Sequence, residues 1–471
     1  MKSSILFLLL LIPISIFSEK LSKNDVLTYA FKHSENLRII ENEMASAQSL
    51  EKEYRGKGLP TIEASVNYKY AFNQYNPYSF DIGDAGNLSA MIDQDQPGFM
   101  NDATIAGALD QILSSFSDIE LTPPPNAVAM ELSLTQPIYA QGKISRGRKA
   151  AKMYHDNLTL KYENTKLTLA KEITNAYNSA ILADQNHKVQ KQAVSLAQET
   201  HKLTKARLES GKGNVLDTLN SKYSLQQSKF ELREAEKNRY MAFKKLFTLA
   251  SMDKDPDSIE LTDSLAVVEF TISEDEAIDL MLNKNLSLKQ INNGIQLHQM
   301  QIEIAKCDFL PTVYAGASVS KISMFDSYDR TSWGDDQKIF IGASIPIYSG
   351  GQKVQKVKQV SFEEQSLHET KRKTISQLTL ALNNYFEELA VAREECIEAR
   401  HLISLTEQGV EISSLSYEIG QITQNELTQS KQHLSMSQLA YNNAVYKLNT
   451  AIANIKMLLG DETLLSTKVE D

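Results

Sequence analysis

Few side chains in this chain are spaced for bond-making chemistry. Gly211-Lys212-Gly213 is the nearest approach to a phosphate-binding turn. It lacks the earlier glycine and the following Ser or Thr, and it joins two helical runs where a phosphate loop follows a strand. A turn at the end of a coiled coil fits it better. Cys307 and Cys396 sit on separate helical stretches and read as small apolar packing residues, not as a disulfide. With eight scattered histidines they build no zinc pattern, and neither HExxH nor GxSxG occurs. The expectation is a protein that is not an enzyme and has no metal or cofactor. What remains is Tyr417 and two acids, Asp217 and Glu426, which follow the turn glycines Gly211 and Gly420 at equal spacing. An acid so placed complements the dipole at the start of a helix, and Tyr417 fits a core position of the helix before its turn.

These residues lie at the ends of long rods. Ile375, Leu378, Leu382, Tyr385, Leu389, Ala392, Cys396, Ala399, Ile403, Thr406, Val410, Ser413 and Tyr417 follow one another at alternating spacings of three and four. That is the a/d seam of a coiled coil. A helix over 352–419 is roughly 100 Å long and needs partners of similar length, because a compact domain has no room for it. The small seam residues Ala392, Cys396, Ala399 and Ser413 let those partners approach closely.

The rod has a second copy. Pro346-Ile347-Tyr348-Ser349-Gly350-Gly351 opens it, as Pro137-Ile138-Tyr139-Ala140-Gln141-Gly142 opens an earlier stretch. The offset that relates these corners also relates Gly420 to Gly211 and Glu426 to Asp217, so helices are expected at 143–210 and 214–249 and again at 352–419 and 423–459. The first rod repeats the spacing through Leu169, Ile173, Ala176, Ala180 and Ala183. A larger constant offset relates Leu21-Ser22 to Ile272-Ser273 and Leu59-Pro60-Thr61 to Leu310-Pro311-Thr312. The mature chain is therefore read as two tandem repeats, 19–262 and 263–471, with one insertion after Pro60 and before Pro137.

Each repeat carries a strand hairpin. Ile62, Ala64, Val66, Tyr68, Tyr70 and Phe72 alternate with polar residues, as do Val128, Met130, Leu132 and Leu134. Val313, Ala315, Ala317 and Val319, then Ile339, Ile341, Ala343 and Ile345, repeat the pattern. The expected strands are 61–72, 128–139, 312–320 and 338–347. Such alternation suits a half-buried soluble sheet as well as a membrane one. Four strands cannot close a membrane barrel, and open edges are not tolerated in lipid, so a barrel has to be shared between chains. Two chains would supply eight strands and three would supply twelve.

Residues 1–18 read as a secretory signal, with Lys2 followed by the apolar run Ile5–Phe17, which is too short to span a bilayer. No cysteine lies near the cleavage point, so no lipid anchor is expected. A net charge of −10 argues against nucleic acid as a partner. The 73–126 loop is acidic, holds Pro77, Pro97 and Pro123 to Pro125, and places Ile105, Leu109, Ile112, Leu113 and Phe116 at the spacing of a short amphipathic helix.

The order of signal, helix, hairpin, long helix, turn and returning helix, duplicated, resembles the TolC-like outer-membrane efflux proteins. The carriers are the two Leu-Pro-Thr strand entries, the corners at Pro137 to Gly142 and Pro346 to Gly351, and the turns at Gly211 and at Tyr417-Glu418-Ile419-Gly420. The resemblance implies a mainly α chain with a β-barrel portion. Three copies would form a homotrimer with a twelve-strand barrel in outer-membrane lipid and an α-helical tunnel across the periplasm. It implies a passive duct for efflux or type I secretion, with a periplasmic adaptor and an inner-membrane pump as partners. It assigns Asp217, Tyr417 and Glu426 to a periplasmic gate, and Gly211, Gly213 and Gly420 to tips on which the adaptor docks. Two positions depart from the family: Ile422 stands where an arginine locks the entrance, and Gln429 where a second acidic ring lies. The competing reading is a periplasmic coiled-coil adaptor or envelope scaffold, which would have one helical hairpin between small β-domains and not two in tandem.

Overall fold

The structure is a computed structural model that describes residues 19–70, 126–325 and 332–461, with 108, 111, 112 and 463. The signal segment, the end of the first strand at 71–72 and most of the 73–126 loop lie outside the described residues. In chain order the elements are β1 (Glu19–Leu21), α1 (Lys23–His33), α2 (Glu35–Gly56), β2 (Thr61–Tyr70), β3 (Asn126–Tyr139), α3 (Lys143–Glu209) and α4 (Val215–Leu249). There follow β4 (Ile259–Leu261), α5 (Glu274–Lys284), α6 (Leu286–Cys307), β5 (Thr312–Phe325), β6 (Ser332–Ser344), α7 (Gln352–Glu418) and α8 (Gln424–Leu459). The two halves match almost residue for residue: α1 and α5 have 11 residues each, α2 and α6 have 22, and α3 and α7 have 67.

Contacts divide the chain differently from the repeats. Met1–Glu51, Lys149–Ile302 and Lys356–Asp471 form a helical unit, and Lys52–Arg148 with Glu303–Gln355 form a second one. Each repeat thus gives helices to one unit and its hairpin to the other.

In the second unit the strands form one antiparallel sheet in the order β2-β3-β5-β6. The β3–β5 pairing joins the two repeats. Its register puts Ile62, Leu134, Ala317 and Ile339 in one row, and Ala64, Leu132, Val319 and Gln337 in the next on the same face. The alternate rows are polar: Glu63, Ser133, Ser318 and Lys338, then Ser65, Glu131, Ser320 and Asp336. The apolar face lies open, with Ile62 69%, Val66 70% and Ile339 90% exposed. Both outer strands, β2 and β6, keep one unpaired edge in the described chain.

Strand meets helix at two corners built in different ways. Pro137 pairs with Tyr314 inside β3, beyond the reach of β2, whose first residue Thr61 lies opposite Thr135. A proline is tolerated there because only one neighbour asks for ladder bonds. Gln141 and Gly142 then turn the chain through positive φ, 55° and 71°. The Gln141 side chain donates to Leu310 O, and Lys143 Nζ lies 2.6 Å from Asp308 Oδ1. At the other corner β6 ends before Pro346, and Gly350 and Gly351 take the positive φ values, 62° and 78°.

The helical unit has two cores, each drawn mainly from one repeat. Val26, Leu27, Ile173, Tyr177, Phe243, Leu246 and Phe247 fill the first. Tyr177 is anchored by its hydroxyl, which donates to Leu21 O at 3.1 Å, and β1 pairs in parallel with β4 beside it. The second core gathers Leu382, Leu389, Ala392 and Cys396 from α7 with Ala444, Val445, Leu448 and Ile452 from α8 and Met281 from α5. Apart from Val360, the buried residues of α7 are all seam positions: Leu382, Leu389, Ala392, Cys396, Ala399 and Tyr417. The three-four spacing thus selects the packed face. Leu382 is completely buried, and Leu382→Ala is expected to cost about 2–5 kcal/mol. The measurement is the thermal unfolding midpoint in mild detergent, and an unchanged midpoint would show that this seam does not carry the core.

Candidate functional site

The turns at Gly211 and Gly420 have the same backbone solution. At the end of α3, Lys212 N donates to Arg207 O at 2.9 Å and Gly211 N to Leu208 O at 3.0 Å. At the end of α7, Gln421 N donates to Ser416 O at 2.8 Å and Gly420 N to Tyr417 O at 3.1 Å. Both turns close the last helical carbonyls with a residue in the left-handed region, at φ 72° for Gly211 and 79° for Gly420. Gly213 is glycine for another reason. A Cβ there would lie 2.7 Å from Leu208 N, because the turn folds back on the helix it leaves. Lys212 is therefore part of a helix-to-helix turn and not of a strand-to-helix phosphate loop.

The returning helices are capped differently. The Asn214 side chain accepts from Leu216 N at 3.0 Å, which leaves Asp217 uninvolved in that cap. In the second copy Thr423 and Glu426 form a reciprocal capping box. Glu426 Oε2 accepts from Thr423 N at 2.7 Å and from Thr423 Oγ1 at 2.9 Å. The bond from the Thr423 backbone, then that from its hydroxyl, holds the exposed Glu426 carboxyl below the ordinary glutamate range.

Asp217 and Tyr417 are brought together, with a third residue that the spacing did not single out. Tyr417 is only 4% exposed. Arg207, near the end of α3, crosses to it. Its Nη1 donates to Tyr417 O at 2.7 Å and to Glu418 O at 3.5 Å, and its guanidinium carbon stands 5.0 Å from the Tyr417 ring centre. Burial raises the Tyr417 pKa; the Arg207 charge lowers it and the Asp217 charge raises it. The contact between the two coils runs through a backbone carbonyl and a ring face. Glu426 instead has its hydrogen bonds with Thr423, and Ile422 lies half-buried in the turn.

A second link lies further along the coils. Lys431 Nζ, on α8, donates to Thr200 Oγ1 at 2.8 Å and to Leu196 O at 3.5 Å on α3. Burial pushes its pKa down. It lines a cavity of about 290 Å³ between α3, α4 and α8, with Ser221, Gln424 and Thr428. Arg207 and Lys431 have no motif around them. A basic residue in the last turn of α3 reads as a partner for the dipole of its own helix, and only the fold shows that it serves another.

Among the described residues no group of three or more His, Cys, Asp or Glu side chains is placed to hold a metal ion. Both cysteines are buried and free. Cys307 lies at the first corner, with Sγ 3.3 Å from Gln141 O and 3.4 Å from Arg146 Nη1. None of the described helices is long and apolar enough to cross a membrane.

Comparison with known proteins places this arrangement. The chain is 23% identical over 342 residues to the alkaline protease secretion protein AprF of Pseudomonas aeruginosa, covering 70% of this chain and 69% of that protein. It is 21% identical over 337 residues to nodulation protein T of Rhizobium leguminosarum bv. viciae, covering 70% and 68%. The fold matches that of the outer membrane protein VceC of Vibrio cholerae with a TM-score of 0.69, 15% identity and coverage of 93% and 96%. The sequence pattern of the outer membrane efflux protein family matches residues 121–251 and 277–461, most of the chain, and the protein belongs to that family.

Proposed function

We propose that the protein is the outer-membrane channel of a tripartite efflux or type I secretion system, a passive duct assembled from three copies and gated at its helical tips. The observation that carries this is the sheet: one apolar face left open, one polar face, and two unpaired edges. An open edge in lipid leaves backbone groups unsatisfied at several kcal/mol each, so β2 of one copy pairs with β6 of the next until the ring closes. Three copies give a twelve-strand barrel whose apolar rows meet lipid and whose polar rows line water. Export depends on residues 1–18 as a cleaved signal. The long helices continue into the periplasm as the tunnel, and the tips meet a periplasmic adaptor that joins the duct to an inner-membrane pump. Two helical hairpins in tandem weigh against the adaptor reading.

Gly211 and Gly420 suit a docking role because both are exposed and a side chain at either would strain a left-handed residue. Asp217, Tyr417 and Glu426 suit a gate because three copies place two sets of carboxylates around a narrow mouth, where they attract cations.

In mild detergent the protein is expected to be a homotrimer by light scattering; a monodisperse monomer or dimer removes the shared barrel. In planar bilayers, Asp217→Asn combined with Glu426→Gln is expected to lower cation selectivity. Gln keeps the capping box, so the turn survives the change. Because its capping bonds hold Glu426 below the ordinary range, its share of the selectivity should persist as pH falls through the normal glutamate pKa and disappear only in stronger acid. Selectivity unchanged in the double variant would leave these acids with a capping role alone.

A further inference from the structure

The last turn of α7 contains no basic residue, yet it ends with its carbonyls at the tip. A helix C-terminus carries partial negative charge and is stabilised by a cation. Here that cation comes from the other coil. The Arg207 guanidinium takes the Tyr417 carbonyl, approaches that of Glu418 and lies over the Tyr417 ring. We infer that Arg207 is a positioning residue of the gate: it clamps the end of α7 to α3 and thereby sets how readily the two coils of one chain separate at the entrance. The inference rests on the reading of the tips as the channel mouth, and it assigns to the first coil the bracing that Ile422 cannot supply from the second.

The clamp also gives the two turn glycines different weights. The position of a Cβ on Gly420 is 3.5 Å from Arg207 Nη2, whereas one on Gly211 meets nothing within 4 Å. Both positions have positive φ, so alanine strains either turn. Only at 420 does the added methyl group also press on the guanidinium. Lysine cannot replace the clamp. It keeps the charge but loses the planar fork and the flat face that lies on the ring.

The test uses the full-length protein in planar bilayers, with trimer yield checked for every variant. Arg207→Gln is expected to raise the open fraction about tenfold, the factor for the loss of one charge-assisted hydrogen bond. Arg207→Lys decides between clamp and simple charge, because an electrostatic effect alone leaves it like the wild type while loss of the fork raises its open fraction too. It also carries the test if Arg207→Gln does not assemble. Gly420→Ala is expected to act in the same direction. A wild-type open fraction in Arg207→Lys trimers overturns the clamp. If the Asp217→Asn, Glu426→Gln pair still shifts selectivity in that case, the entrance reading stands without it. If neither set responds, the entrance is not at these tips and both fall.

Discussion

The pairing of β3 with β5 makes one molecule of two repeats. Because side chains alternate along a strand, a slip of one residue would turn the Leu134–Ala317 row to the polar side and the Ser133–Ser318 row to the apolar side. Two hairpins of like pattern fit only if both present their apolar sides together, and the register does this across all four strands. The unpaired edges of β2 and β6 follow directly. A sheet whose inner strands are used up within the chain has only its outer ones left to meet a neighbour, and the proposed assembly rests on them.

Much of this could be read in the sequence, where long periodic signals have no local competitor. The three-four seam of α7 places Leu382, Leu389, Ala392 and Cys396 inside. Strand limits were harder, for a physical reason. The face that carries Val313, Ala315, Ala317 and Val319 continues as Lys321 and Ser323, so the alternation fades while the hydrogen bonding runs on to Phe325. In β6 the same face begins with Trp333, Asp335 and Gln337 before Ile339, and the strand therefore starts at Ser332. Glu19–Leu21 and Ile259–Leu261 are too short to show a period at all, and they exist because Tyr177 and its neighbours hold them.

At the tips, position was legible and partnership was not. Equal spacing after Gly211 and Gly420 makes Asp217 and Glu426 look like equivalents. Their surroundings separate them. Asn214 caps α4 by itself and leaves the half-buried Asp217 out of the cap, whereas Thr423 needs Glu426 to complete its box. The corners diverge in the same way, since a left-handed Gln141 stands where the second copy has Gly350. There the side chain that a glycine would have lacked is used to reach Leu310.

Such divergence is what a duplicated chain would permit in the proposed ring. If both hairpins were identical, three chains would present six equal tips, and any contact that closed one would close all. Here Arg207 belongs to the first hairpin and the carbonyls it holds belong to the second, so each chain contains one asymmetric contact. In the proposed gate the difference between the coils then has a direction, with one as the post and the other as the leaf. Opening such a gate would cost the loss of a guanidinium from two carbonyls and a ring face, away from the cores that hold Leu382 and Ile173.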